Sequence, residues 1–122
     1  LLGHPDHRVR VEALRGLFVL RRGEAVGALV GALSDPEPRV RHAAVSLLHA
    51  SPSREVVAAL VELLEVRPPA AAEARRLVDL IAERSDPAVP LALERLAGRK
   101  RALGAGRVVR DAARQALQGV KR

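Results

Sequence analysis

The sequence predicts an all-α fold, a stack of antiparallel helix pairs, and three observations carry that expectation. Residues 2–17, LGHPDHRVRVEALRGL, recur thirty-one positions later as residues 33–48, LSDPEPRVRHAAVSLL. Seven of the sixteen positions are identical: Leu2 and Leu33, Pro5 and Pro36, Arg8 and Arg39, Val9 and Val40, Arg10 and Arg41, Ala13 and Ala44, Leu17 and Leu48. A fixed period of this length marks a repeat architecture. Apolar residues also return every three or four positions through most of the chain, the spacing of one helix face. Between these stripes Pro, Gly, Ser and Asp cluster, as turns and helix starts require.

In chain order, residues 8–21 form the first helix, with Val9, Ala13, Leu14 and Leu17 as its inner stripe, and Arg22-Gly23 ends it. Residues 24–33 form the second, with Val26, Leu29, Val30 and Leu33 in helical register. Its Gly27 and Gly31 lie four apart on one face, which predicts close approach by a neighbour. For the third helix, Asp35 suits the N-cap and Pro36 the first helical position, where a missing N–H costs nothing. Glu37 adds negative charge at the positive end of the helix dipole. From about residue 38 to 50, Val40, Ala43, Ala44, Leu47 and Leu48 share one face, opposite Arg39, His42, Ser46 and His49. One such helix cannot bury its stripe alone, so the unit is a helix pair.

Ser51-Pro52-Ser53 is the next turn, and Ser53 suits the N-cap of the helix after it. Val57, Leu60, Val61 and Leu64 form that helix's stripe, widened by Val56 and Leu63 to suit two neighbours. After Arg67-Pro68-Pro69, residues 70–84 make a helix whose inner face is Ala74, Leu77, Val78 and Ile81. This third repeat lacks the Asp-Pro and Val-Arg signature and aligns best at an offset of thirty, which predicts a differently built junction. Ser85-Asp86-Pro87 starts a helix running to about residue 97, with Val89, Ala92, Leu93 and Leu96 in a stripe and Pro90 tolerated in its first turn. The last helix, to about residue 118, matches the second repeat at an offset of 69 through Val109, Arg110, Ala112, Ala113 and Leu117. That is seven residues more than two plain repeats give, and it places an insertion in a basic loop, 98–107.

The 122 residues are one domain's worth of chain,. The expectation is a single repeat domain over residues 1–122. It consists of the second helix of repeat one (8–21) and repeats at 24–50, 53–84 and 86–118. By register, Leu1 and Leu2 correspond to Ala32 and Leu33, the end of a first helix that the sequence lacks, and the sequence has no Met. A fragment of a longer array, apolar at its N-terminal face, is therefore expected. Having no cysteine removes disulfides, thiol catalysis and cysteine metal sites,. No signal-like segment and no apolar run near about 18 residues occurs, so a cytoplasmic protein is expected. The 19 arginines against 2 lysines, with the Ala, Gly and Pro content, match the coding bias of a GC-rich bacterial genome.

Asp35-Pro36, Val40-Arg41 and Ala43-Ala44 match D-P-x-x-x-V-R-x-A-A, and through them the chain resembles the HEAT repeats, in particular the short bacterial kind first noted in phycobilisome lyases. The motif is complete once; repeat one has His4 in place of the Asp and Glu12 in place of the first Ala. The T-P-L-H and W-x-x-L-G signatures of ankyrin and tetratricopeptide repeats are absent. The resemblance implies a right-handed α-solenoid of about three and a half repeats. In the family, the Asp and the Arg six residues on form hydrogen-bonded ladders between neighbouring repeats. That implies such a role for Asp35 and Arg41, for Arg10 with a weaker partner, and for Arg110. The family's second helices line a concave surface. The resemblance then places Arg8, Val11, Arg15 and Phe18 on one face with Arg39, His42, Ser46 and His49, continued by Arg76, Asp79 and Glu83 and by Asp111, Gln115 and Gln118.

Charge is uneven. Residues 1–61 carry a net +2, residues 62–98 a net −2, and residues 99–122 eight basic side chains against one acid. Arg99, Lys100, Arg101 and Arg107 are the candidates for binding a polyanion. Against nucleic acid stands the lack of aromatics for base stacking; Phe18 is the one aromatic residue,. No chemistry is expected. His42 and His49, seven apart, are too distant to grip one metal, and His4-Pro-Asp6-His7 is a weak metal hint in a turn. Gly104-Ala-Gly106 lacks the Lys-Ser/Thr of a phosphate loop, and no serine has an obvious base. DNA glycosylases built from such repeats use Trp and Tyr, which are missing here. Repeat similarity to lyases does not transfer activity. The expected function is a non-catalytic, cofactor-free scaffold presenting the second-helix face to a protein or peptide. The alternatives are polyanion binding through residues 99–122 and a regulatory repeat segment of a larger enzyme or signalling protein.

Overall fold

The computed structural model describes residues 1–21, 24–98 and 105–120, and every regular element among them is an α-helix. In order these are α1 (His7–Leu20), α2 (Ala25–Ala32), α3 (Pro38–Ala50), α4 (Glu55–Val66), α5 (Ala71–Glu83), α6 (Val89–Ala97) and α7 (Ala105–Val120). The chain divides into two compact units, Leu1–Ala59 and Leu60–Arg122. In the first, α1 packs on α3 and α2, and α2 packs on α3; in the second, α7 packs on α6 and α5, and α5 on α6.

The first unit repeats one turn structure at the thirty-one-residue period. Before α1, Asp6 is the N-cap and accepts from the Arg8 N–H; before α3, Glu37 is the N-cap and accepts from the Arg39 N–H. Two residues upstream, His4 Nδ1 accepts from the Asp6 N–H at 3.0 Å, and Asp35 Oδ1 accepts from the Glu37 N–H at 2.9 Å. Six residues after each of these comes an arginine that closes the turn. Arg10 Nη1 donates to the His4 and Pro5 carbonyls, and Arg41 Nη1 donates to those of Asp35 and Pro36. An imidazole nitrogen thus does in repeat one what a carboxylate oxygen does in repeat two.

This places the cap of α3 at Glu37 and its first helical proline at Pro38, not at Asp35 and Pro36. The reason is the Pro36-Glu37-Pro38 sequence. A residue before proline is driven out of the helical region, and Glu37 sits extended at φ −90°, ψ 121°. The helix therefore cannot begin until Pro38. At the other end of the chain, α7 starts at Ala105, so residues 105–107 are helical rather than part of a basic loop. No proline follows Pro90, and nothing stops the helical period of Val109, Ala112 and Ala113 from running a further turn upstream.

The stripes are buried unevenly. Val26 and Leu29 of α2, Leu33 at its C-cap, and Val40, Ala44 and Leu48 of α3 are buried. On α1 only Leu14 is, while Val9, Ala13 and Leu17 stay half-exposed, because α2 and α3 cover the Leu14 side alone. In the second unit Leu60, Val61, Leu64, Ala74, Leu77, Val78, Ile81, Leu93, Leu96, Val109 and Ala113 form the core, joined by Leu80, which the periodicity left out. Ser53 Oγ accepts from the Glu55 N–H ahead of α4, and Asp86 Oδ1 from the Ala88 N–H ahead of α6.

Gly27 and Gly31 of α2 are exposed, and a Cβ at either would meet no atom within 4 Å. The close neighbour expected from their spacing is not there among the described residues. Glycine inside a helix costs up to about 1 kcal/mol relative to alanine. Gly27→Ala and Gly31→Ala should therefore each stabilise the fold by up to about 1 kcal/mol, read as a higher midpoint in thermal or urea unfolding. A lower midpoint would show that this face needs its glycines.

Candidate functional site

Helices α1 and α3 are separated by an open groove of about 620 Å³, lined entirely by these two helices. From α1 come His7, Arg8, Val11, Glu12 and Arg15; from α3 come Arg39, His42, Ala43, Ser46 and Leu47. Four residues expected on a partner-binding face, Arg8, Arg15, Arg39 and His42, are thus brought together, along with Val11 and Ser46. Phe18 is half-buried and His49 exposed, and neither lines the groove. Arg76 and Asp79 are exposed on α5, in the second unit.

The floor of the groove is apolar and comes partly from residues whose spacing had marked them as core. Ala43 and Leu47 lie in the apolar stripe of α3, yet both are half-exposed beside Val11. The repeat register carries the signal for this. Ala43 corresponds to Glu12 and Leu47 to Gly16, and a position that holds Glu in one repeat is not a buried one. Glu12 and His7, also missed as lining residues, sit on the same exposed flank of α1.

Electrostatically the rim is built from arginines in three different states. Arg8 is held by Asp6 through two bonds, Nε to Oδ1 at 3.2 Å and Nη2 to Oδ2 at 3.0 Å. These bonds, with the Arg8 backbone N–H, bring the Asp6 carboxyl down to about 2. Arg15 donates to Glu12 Oε1 at 2.8 Å, an exposed pair one helical turn apart. The Arg39 guanidinium meets no carboxylate among the described residues; its Nη1 lies 3.2 Å from His7 Nε2. A guanidinium only donates, so the imidazole nitrogen is the acceptor there. His4 Nδ1 and His7 Nε2 both have partners in the chain, and no group of three His, Cys, Asp or Glu side chains among the described residues is placed to hold a metal ion.

Behind the groove, one ion pair links the two repeat turns. Arg10 donates from Nε to Asp35 Oδ2 at 2.9 Å and from Nη2 to Asp35 Oδ1 at 3.0 Å, and both side chains are about seven-eighths buried, at 14% and 13% exposure. Burial alone would raise the Asp35 carboxyl, but the Arg10 fork and the Glu37 N–H outweigh it, and the group lies below its ordinary value. With Leu2, Leu14, Ala28, Gly31, Ala32 and Val40, the pair lines a small cavity of about 180 Å³. The residue that reaches the next repeat's aspartate is therefore Arg10, with a strong, forked partner. Its own turn's His4 serves it only through a carbonyl. Arg41 closes its own turn in the same way.

Of the remaining candidates, Arg110 is half-buried on α7, with Nε 3.3 Å from Asp111 Oδ1. Arg107 is exposed on the first turn of α7. Arg99, Lys100 and Arg101 lie outside the described residues.

Two turns of one design thirty-one residues apart, tied by the Arg10–Asp35 fork, mark a helical-repeat protein,. The family model for HEAT repeats matches residues 1–77, and the chain belongs to that family, whose helix pairs stack as an α-solenoid. HEAT repeats are generally protein-interaction scaffolds and typically non-catalytic. The curated proteins and the solved structures give no match. No helix among the described residues is long and apolar enough to cross a membrane.

Proposed function

We propose that the chain is a non-catalytic scaffold that binds a protein or peptide partner in the groove between α1 and α3. The observation that carries this reading is the groove itself, an apolar floor of Val11, Ala43 and Leu47 under a rim of arginines. Exposed apolar surface framed by polar groups is the usual make-up of an interaction site, and arginine is enriched where binding energy concentrates. Apart from the Arg8–Asp6 pair, the turn bonds that position α1 and α3 do not use the groove's side chains, so a partner need not disturb the fold.

The test is selection of a peptide library on the chain, followed by titration of the selected peptides against Arg15→Glu and Arg39→Glu. Each reversal should weaken binding by about tenfold or more, equivalent to about 1.4 kcal/mol, with helicity by circular dichroism unchanged. Unchanged affinity in both variants would place the interaction elsewhere.

A further inference from the structure

We infer that the groove takes an acidic segment, one that sets a carboxylate on Arg39 while an apolar side chain enters between Val11 and Leu47. The inference rests on the groove being the binding face and adds the chemistry of what fills it.

Charge bookkeeping on the rim identifies the occupant. Arg8 is neutralised in place by its two-bond pairing with Asp6. Arg15 has Glu12, but exposed pairs one turn apart hold each other only weakly,. Its guanidinium is therefore free to exchange one carboxylate for another at little cost. Arg39 has a full positive charge, five N–H donors in a planar fork and, among the described residues, only the lone pair of His7 Nε2 in front of it,. An arginine fork fits a carboxylate better than any neutral group, through two parallel charge-assisted bonds. Because the contact with His7 takes up a single N–H, the fork can accept such a partner without first breaking an ion pair. A basic segment would instead meet three guanidinium groups on the rim. A neutral one would leave Arg39 uncompensated as the groove dries.

The floor sets the second requirement. Val11, Ala43 and Leu47 are half-exposed and small to medium in size, so they suit a Leu or Ile side chain rather than a charged one. A segment with acidic residues flanking an aliphatic one satisfies both parts. A phosphate-rich single strand offers anions but no aliphatic group for the floor, and the chain has no aromatic in the groove on which a base would stack,.

The experiment titrates three synthetic peptides of equal length against the whole chain by isothermal calorimetry. One alternates Glu with Leu, the second replaces every Glu by Gln, and the third replaces every Leu by Ser. A twelve-nucleotide thymidine strand is the fourth probe. The Glu-Leu peptide should bind at least about tenfold more tightly than either relative, and Arg39→Ala should remove most of that advantage while Arg75→Ala, in the second unit, leaves it intact. Equal binding of the Gln-Leu peptide, still lost in Arg39→Ala, would overturn the acidic specificity and leave the groove as the binding face. Binding of the peptides that is indifferent to Arg39→Ala and Arg15→Glu would overturn both. Tighter binding of the thymidine strand, or no binding of the Glu-Leu peptide at about 1 mM, would also overturn the inference.

Discussion

Ala44→Asp should unfold the first unit. Ala44 is fully buried on α3, in the same stripe as Val40 and Leu48. A carboxylate there has no water to reach, and burying an unpaired charge costs far more than a lost contact. A penalty of about 4 kcal/mol or more is expected, against a total stability for a domain of this size of about 5–15 kcal/mol. Thermal melts by circular dichroism should show a large loss of midpoint or no cooperative transition. Ala44→Ser separates charge from bulk. Its hydroxyl can bond the carbonyl four residues back, so it should cost only about 1 kcal/mol. A melting temperature for Ala44→Asp equal to that of the parent chain would refute the core assignment of α3.

The second large effect belongs to the Arg10–Asp35 fork. Removing either partner leaves the other without its fork, so Arg10→Ala and Asp35→Ala should each lower the unfolding midpoint. The double variant should cost less than the two single changes together. Strict additivity would mean that the pair is geometry without energy. The same pair sets an acid limb. Asp35 lies below its ordinary value of 3.8 in the folded chain. A carboxyl depressed by folding stabilises above its unfolded value, and that contribution fades as pH falls through the folded one. The stability gap between the parent chain and Asp35→Asn should therefore be full near neutral pH and close as the pH drops below about 3.8. A gap that stays constant across that range would contradict the ion pair. Asp6, brought down to about 2 by Arg8, titrates in the same direction, so Asp6→Asn belongs in the comparison as an independent contributor.

How much of this was legible beforehand differs between parts of the molecule. The helices were readable because an apolar stripe of period 3.6 is a local property, and the span 38–50 for α3 agrees with Pro38–Ala50. Element ends were less so. The cap moved from Asp35 to Glu37 because Pro38 drives Glu37 out of the helical region,, which a search for a single Asp-Pro start overlooks. The exposed arginines of the groove were readable as the face opposite the stripe. The Ala43 and Leu47 part of its floor was not, because periodicity says which residues share a face but not how wide a strip of that face a neighbour covers. Comparing Ala43 with Glu12 across the register would have shown it. The Arg10–Asp35 fork joins residues 25 apart in sequence. Local pattern shows that arginines and aspartates recur, but which arginine reaches which aspartate depends on how one turn stacks on the next.

We propose the α1–α3 groove as the surface through which this HEAT-repeat chain holds its partner. The most direct measurement places a photo-crosslinking phenylalanine derivative at Ser46, on the exposed groove wall, and in a second variant at Glu94, exposed on α6. Each variant is then irradiated with a library-selected peptide bound. Covalent adduct is expected from position 46, mapped by mass spectrometry to the peptide, and only background from position 94. Adduct at 94 with none at 46 would contradict the proposal.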